Sequence, residues 1–250
     1  MAISKLSTLS TSKGIPKSQN FWDQSTYIPV TSGLVMYLDA GQTSSYNGGT
    51  WNDISGSGKI ITLYGSPSFA SLGASSFLRF NGVSTYAEGD VSGLISGLTN
   101  ASCNIWYRPL SADDNGMLYD HHNYSAAGTR DNFAIRQNWG GSSTAGYTVN
   151  SDGNFASVNF ENANANLHLW RNYTQVRREG TMYAFVNGVQ VNSVSITGTI
   201  RTTSTLKIGQ DAIGTNFLHA DFAVMQTFNR ALTDTEVLQN FNFFKGRYGY

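Results

Sequence analysis

Residues 167–196 read LHLWRNYTQVRREGTMYAFVNGVQVNSVSI. From Leu167 to Arg178 apolar and polar side chains alternate, the period of a strand with one buried face. Glu179-Gly180 and Asn187-Gly188 are turn dipeptides that reverse a strand, their glycines supplying the positive φ. Thr181–Val186 (TMYAFV) and Val189–Ile196 therefore continue an antiparallel run. Three strands in succession with no helical period predict an all-β chain.

Working outward, the same signals recur. Leu34–Asp39 is a short apolar run, and Ser76–Phe80 and Thr85–Ala87 flank the hairpin-type dipeptide Asn81-Gly82. Further strands are predicted at Ser102–Arg108, Met117–Asp120, Asn132–Gln137, Gly146–Val149, Ser157–Phe160, Leu206–Gly209 and Ala220–Phe228. Short strands with frequent turns mean a sandwich or barrel rather than a parallel βαβ sheet. One helix is predicted near 233–244. Thr233 and Glu236 have capping-box spacing, Val237, Phe241 and Phe244 form one apolar face, and Gly246 suits the position after the helix.

Residues 1–30 differ. They are rich in Ser and Thr, carry Lys5, Lys13 and Lys17, and read as an extended arm that ends in the cluster Phe21, Trp22, Tyr27 and Ile28. That cluster either packs on its own domain or anchors the arm on a neighbouring subunit.

Lys+Arg and Asp+Glu are both 16, giving zero net charge, and charged residues are 13% of the chain. A cationic face for nucleic acid or for a membrane surface is therefore not expected. Neutral polar surfaces associate easily, which favours a part built into an assembly. No apolar run is long enough to span a membrane, and the first residues lack the apolar core of a signal peptide. Cys103 has no internal partner and reads as a small core residue.

Four segments together resemble the LamG-like jelly rolls of the concanavalin A-like lectin/glucanase superfamily, in the version found in tailed-phage virion proteins. They are LVMYLDAGQTSSYNGGTWNDISGSG (Leu34–Gly58), FLRFNGVSTYAEG (Phe77–Gly89), GTMYAFVNGVQV (Gly180–Val191) and FAVMQTFNRALTDTEVLQNFNFFKGRYG (Phe222–Gly249). The resemblance implies a two-sheet antiparallel jelly-roll sandwich over residues 31–250. It also implies a non-enzymatic structural or surface protein of a bacteriophage virion, such as a capsid decoration, neck, tail or fibre component. Its partners would then be other virion proteins and further copies of itself. The alternative is a carbohydrate-binding module that recognises host surface polysaccharide.

Hydrolases on this fold commonly place Glu-x-Asp-x-x-Glu on one strand. This chain offers only Glu88-Gly89-Asp90, where the glycine suggests a turn, so no catalytic residue and no cofactor is expected. His121-His122 would point to opposite faces of a strand and reads as loop-edge polarity, whereas His168 and His219 read as structural residues within strands. Calcium is the one ion the central loops could hold, with Asp113, Asp114, Asp120, Asp131 and Asn132 as oxygen donors, Asp120 and Asp131 foremost. Asp39 and Asp53 read as turn-closing carboxylates. A sugar needs an exposed aromatic ring beside planar polar groups. The expected glycan residues are Asp120, His121, Tyr124, Asp131, Trp139 and Tyr147, with Gln137 nearby; Trp139 reads first as a core or interface residue and second as the sugar platform.

Overall fold

The computed structural model describes residues 28–112, 115–123, 133–139, 141, 143–162 and 166–250. Within them the chain forms β1 (Leu34–Asp39), β2 (Thr50–Asn52), β3 (Ile60–Tyr64), β4 (Ser68–Leu72), β5 (Ser75–Asn81), β6 (Tyr86–Asp90), β7 (Ala101–Pro109) and β8 (Met117–His122). There follow β9 (Phe133–Trp139), β10 (Ser143–Val149), β11 (Phe155–Asn162), β12 (Arg171–Arg178), β13 (Thr181–Val186), β14 (Val189–Ser195), β15 (Thr205–Ile208), β16 (His219–Phe228) and the helix α1 (Asp234–Phe244). The arm residues Phe21, Trp22 and Tyr27 lie outside the described residues; Ile28 is the first one described.

The strands build two antiparallel sheets. The first runs β14-β13-β12-β7-β16-β5-β4, with β1 also paired to β16, and the second runs β11-β10-β9-β8-β15-β6-β3-β2. The predicted two-sheet sandwich is thus the fold observed. The strands of the opening stretch form as expected, except that β12 starts at Arg171. His168 lies in a turn at φ +64° rather than in a strand.

Asn81-Gly82 does turn the chain, with Gly82 at φ +73°. It does not close a hairpin, because β5 and β6 belong to different sheets. Asn81 Oδ1 instead accepts the backbone N–H groups of Val83, Ser84 and Thr85, which caps a crossing from one layer to the other. Gly89 is not at a turn either; it lies inside β6, where a Cβ would stand 2.6 Å from Ile61 Cδ1 and collide with the Ile60 carbonyl. Its lack of a side chain lets β3 approach.

Between the sheets lies the main core, including Trp51, Phe80, Ile105, Tyr119, Phe133, Tyr173 and Phe222. Cys103 is buried there, as its neighbourhood predicted. Helix α1 packs on the outer face of the first sheet. Phe241 and Phe244 join Trp106, Val224 and Trp170, while Val237 meets Val176, Phe185 and Phe228. The capping box is formed: Thr233 Oγ1 accepts from Glu236 N–H and the Glu236 carboxylate accepts from Thr233 N–H. Gly246 is not a left-handed cap; the helix tightens into a 3-10 turn over Lys245–Arg247.

Two features on this side tie distant parts together. Under the helix, a line of buried amides crosses three strands. Asn172 Nδ2 donates to Asn104 Oδ1 (2.7 Å), Thr174 Oγ1 donates to the same oxygen (2.9 Å), and Asn104 Nδ2 donates to Gln226 Oε1 (2.9 Å). At the chain's end, Arg247 grips the fully buried Asp39 through its two terminal guanidinium nitrogens, each at 2.7 Å. Asp39 also accepts from Gly41 N–H, the turn-closing role read from sequence, as Asp53 does for Ser55, Ser57 and Gly58. Burial opposes the charge on Asp53, but the N–H and hydroxyl donors around it win and hold its pKa below the ordinary value.

The chain enters over the helix. Val30 N–H donates to Asn240 Oδ1 (2.8 Å), and Gln239 Nε2 donates to the Ile28 carbonyl (2.7 Å). Among the described residues no helix is long and apolar enough to cross a membrane.

Candidate functional site

Among the described residues the second sheet carries no helix, and its outer face is where chemistry-bearing side chains line up. Register places one residue from each strand in a row: Thr50, Thr62, Glu88, Lys207, Asp120, Ala134, Tyr147 and Ser157. Strand alternation sends the neighbouring residues Ala87, Leu206, Phe133 and Val158 into the main core.

The row divides into an open half and a closed half. In the closed half, Met117, Ala134 and Tyr147 form a small buried cluster, with Tyr147 Oη donating to Met117 Sδ at 3.1 Å. Asp120 is completely buried, and among the described residues neither of its carboxylate oxygens accepts a hydrogen bond. His122 Nδ1 lies 3.4 Å from Asp120 Oδ2. Burial opposes protonation of His122, but the adjacent carboxylate outweighs it and raises the pKa above the ordinary histidine value. His121 points the other way, into the core beside Tyr119 (4.9 Å between ring centres), with neither ring nitrogen hydrogen-bonded among the described residues. Burial first, and then the neighbouring His122, push its pKa down to about 3.

These positions correct the expected glycan platform. Asp120, His121 and Tyr147 are buried, so none offers a surface to a sugar. The histidine pair is interior rather than loop-edge, because β8 runs on to His122 and both of its faces are covered. Gln137 is buried as well, its Nε2 donating to the Ser111 carbonyl at 2.6 Å. Tyr124, Asp131 and the calcium candidates Asp113, Asp114 and Asn132 lie outside the described residues, and of Trp139 only the backbone, at the end of β9, is described. Among the described residues no group of three His, Cys, Asp or Glu side chains could hold a metal ion.

The open half holds residues that the sequence reading missed. Tyr64 on β3 and Tyr86 on β6 are cross-strand partners whose rings stack at 4.6 Å and 8°. Tyr64 is 42% exposed. On the other side of Tyr86, Lys207 Nζ lies 5.4 Å from the ring centre and the Phe217 ring 6.4 Å away. Lys207 also reaches Glu88 (3.6 Å) and donates to Gln210 Oε1 (3.1 Å). The faint signal was the alternation Tyr86-x-Glu88-x-Asp90, which a strand projects to one side. An aromatic stack flanked by a carboxylate, an ammonium and an amide can hold a polar ring compound by its C–H face and its hydroxyls. A shallow groove of about 260 Å³ elsewhere, lined by Asn154, Phe155, Ser195, Ile196 and Thr197, has no charged side chain in its wall.

A family model for the concanavalin A-like lectin/glucanases superfamily matches residues 81–238. No curated protein matches the sequence. Solved structures do resemble it in fold. The receptor binding domain of botulinum neurotoxin C/D mosaic serotype aligns with a TM-score of 0.68 at 10% identity, over 85% of this chain and 51% of that one. The binding domain of Paraclostridial Mosquitocidal Protein 1 aligns with a TM-score of 0.65 at 18% identity, over 85% and 52%. The binding domain of botulinum neurotoxin DC, solved in complex with SialylT, aligns with a TM-score of 0.67 at 13% identity, over 85% and 51%. The chain spans about half the length of these structures.

Proposed function

The chain belongs to the concanavalin A-like lectin/glucanases superfamily, and from that premise we propose that it is a non-enzymatic display domain of a bacteriophage virion surface whose lectin-like open face recognises carbohydrate. The observation that supports this most is the separation of two sides. Residues 28–30 join the body over α1, outside the first sheet, whereas the stacked tyrosine pair, with Tyr64 exposed, lies on the outer face of the second. Anchoring through Phe21, Trp22, Tyr27 and Ile28 would leave the open face pointing outward, and the Ile28 side chain is exposed at the entry point. The virion setting rests on the sequence segments that resemble tailed-phage proteins. Many copies on one particle would add avidity to a weak single-site affinity.

Glycosidase chemistry fits poorly. A retaining hydrolase needs two carboxyl groups about 5–5.5 Å apart. Glu88 is paired with Lys207, Asp90 on the same face is held by Ser92 and Lys59, and Asp120, beyond Lys207, has no exposed surface.

Deleting residues 1–30 tests the anchor: incorporation into particles should be lost, while the protein itself still binds a glycan array. Normal incorporation of the truncated chain would overturn the anchoring, an array with no bound glycan would overturn the recognition, and released reducing ends would overturn the non-enzymatic assignment.

A further inference from the structure

The rings of Tyr64 and Tyr86 are not equivalent. Tyr86 is covered on one side by Tyr64 and flanked on the other by Lys207 and Phe217, so the face left free belongs to Tyr64. What lies beside that face is set by the pairing of β2 with β3. Thr50 is opposite Thr62, and Leu63 N–H reaches the Gly49 carbonyl at 3.4 Å. Gly49 is thereby held beside Leu63, the neighbour of Tyr64, and the chain bends at Gly48-Gly49 between Tyr46 and its bridge partner Trp51. A Cβ added at Gly48 or at Gly49 would meet nothing within 4 Å. The backbone beside Tyr64 therefore carries no side chain over two residues, and Tyr64 itself is 42% exposed.

The rim of this slot is polar and electrically balanced. Thr50 Oγ1 lies 3.2 Å from Asn47 Oδ1 and 3.0 Å from Asn52 Oδ1, and Thr62 sits between Thr50 and Glu88 in the row. Glu88 is matched by Lys207 (3.6 Å), and Asp90 by Lys59 (3.5 Å). A polyanion finds no unmatched cation there. A flat aromatic wall, a bare floor and a fringe of hydroxyls and amides suit a ring with axial C–H groups and equatorial hydroxyls.

We infer that the slot between Tyr64 and the Gly48-Gly49 backbone binds one neutral hexopyranose unit, stacked on the free face of Tyr64 with the hydroxyls of Thr62 and Thr50 beside it. The inference rests on the carbohydrate-recognition reading above and names its site and ligand class. A cross-strand tyrosine pair also supports a sheet, so the test must separate binding from folding.

The full chain is titrated with hexa-oligosaccharides of glucose, galactose and mannose, and with polygalacturonate as the acidic arm, by calorimetry and saturation-transfer NMR. At least one neutral hexa-oligosaccharide should bind. Tyr64→Ala should weaken it by about tenfold, the scale of one lost aromatic stack, and Tyr64→Phe should bind as well as the unsubstituted chain. Both variants should keep cooperative thermal unfolding, as fits a ring 42% exposed. Unchanged affinity in a folded Tyr64→Ala would overturn the site and leave carbohydrate recognition standing. Binding of polygalacturonate alone would overturn the neutral ligand, and no binding by the unsubstituted chain would overturn the site and the recognition reading together.

Discussion

Replacing Arg247 by Met tests how much the last turn of the chain contributes to the whole sandwich. Asp39 has no exposed side-chain surface, and Arg247 supplies two hydrogen bonds of 2.7 Å to it. Without the guanidinium, the carboxylate keeps Gly41 N–H (2.8 Å) and Tyr37 Oη (3.1 Å). Two neutral donors do not balance a buried charge. Removing one partner of a buried ion pair costs about 3–5 kcal/mol. For a domain of this size that lowers Tm by roughly 6–20 °C. Urea unfolding followed by tryptophan fluorescence measures the loss, since Trp106 and Trp170 pack beside Tyr248 in the same region. The double variant Asp39→Asn/Arg247→Met removes the orphaned charge and should recover more than half of the deficit. A single variant that loses less than about 1 kcal/mol, or a double variant no better than the single, would refute the argument.

Other substitutions probe different links. Glu236 has its pKa pulled down to about 2, chiefly by hydrogen bonds from Arg230. Its contribution is therefore complete above its unfolded value of about 4.5 and drains as pH falls towards 2. Glu236→Gln should cost about 1 kcal/mol near neutrality and flatten that part of the stability curve, as read by chemical denaturation across pH. His121, with its folded pKa near 3 against an ordinary 6.5, likewise stabilises above pH 6.5 and loses that contribution on acidification through the interval. Because it is buried with no hydrogen bond among the described residues, His121→Phe should reduce the acid sensitivity between those values; an identical pH profile would show that another group controls it. Gly89→Ala drives a Cβ into the Ile60 carbonyl and Ile61, so a loss of about 1–3 kcal/mol is expected, and equal urea midpoints would contradict the close approach of β3 and β6.

Where sequence and structure agree, the information is local. Strands β12 to β14 show in the alternation and in the two glycine turns, and α1 shows in Thr233 and Glu236, all within a few residues of the features they specify. Strands β2, β3 and β4 were not read because they are short and much of them is exposed; Ser68–Leu72 has no buried residue to set a period. Turn chemistry at Asn81-Gly82 announces a reversal but not which sheet receives the next strand. The site failed for the same reason in sharper form. Alternation puts Asp120 and His121 on opposite faces of β8, but whether a face is covered depends on elements distant in sequence. Tyr64 and Tyr86 meet only because β3 pairs with β6, and no residue near either one signals the other.

The amides beneath α1 act as a proofreading device for strand alignment. Asn104, Thr174, Asn172 and Gln226 find one another only when β12, β7 and β16 lie in their native offset. Sliding one strand by two residues would keep its apolar side chains facing inward, yet it would bury carboxamides opposite hydrocarbon at about 1–3 kcal/mol for each group left unmatched. A greasy sheet would forgive such an error; this one makes the misaligned sandwich the less stable product from the moment the helix closes over it.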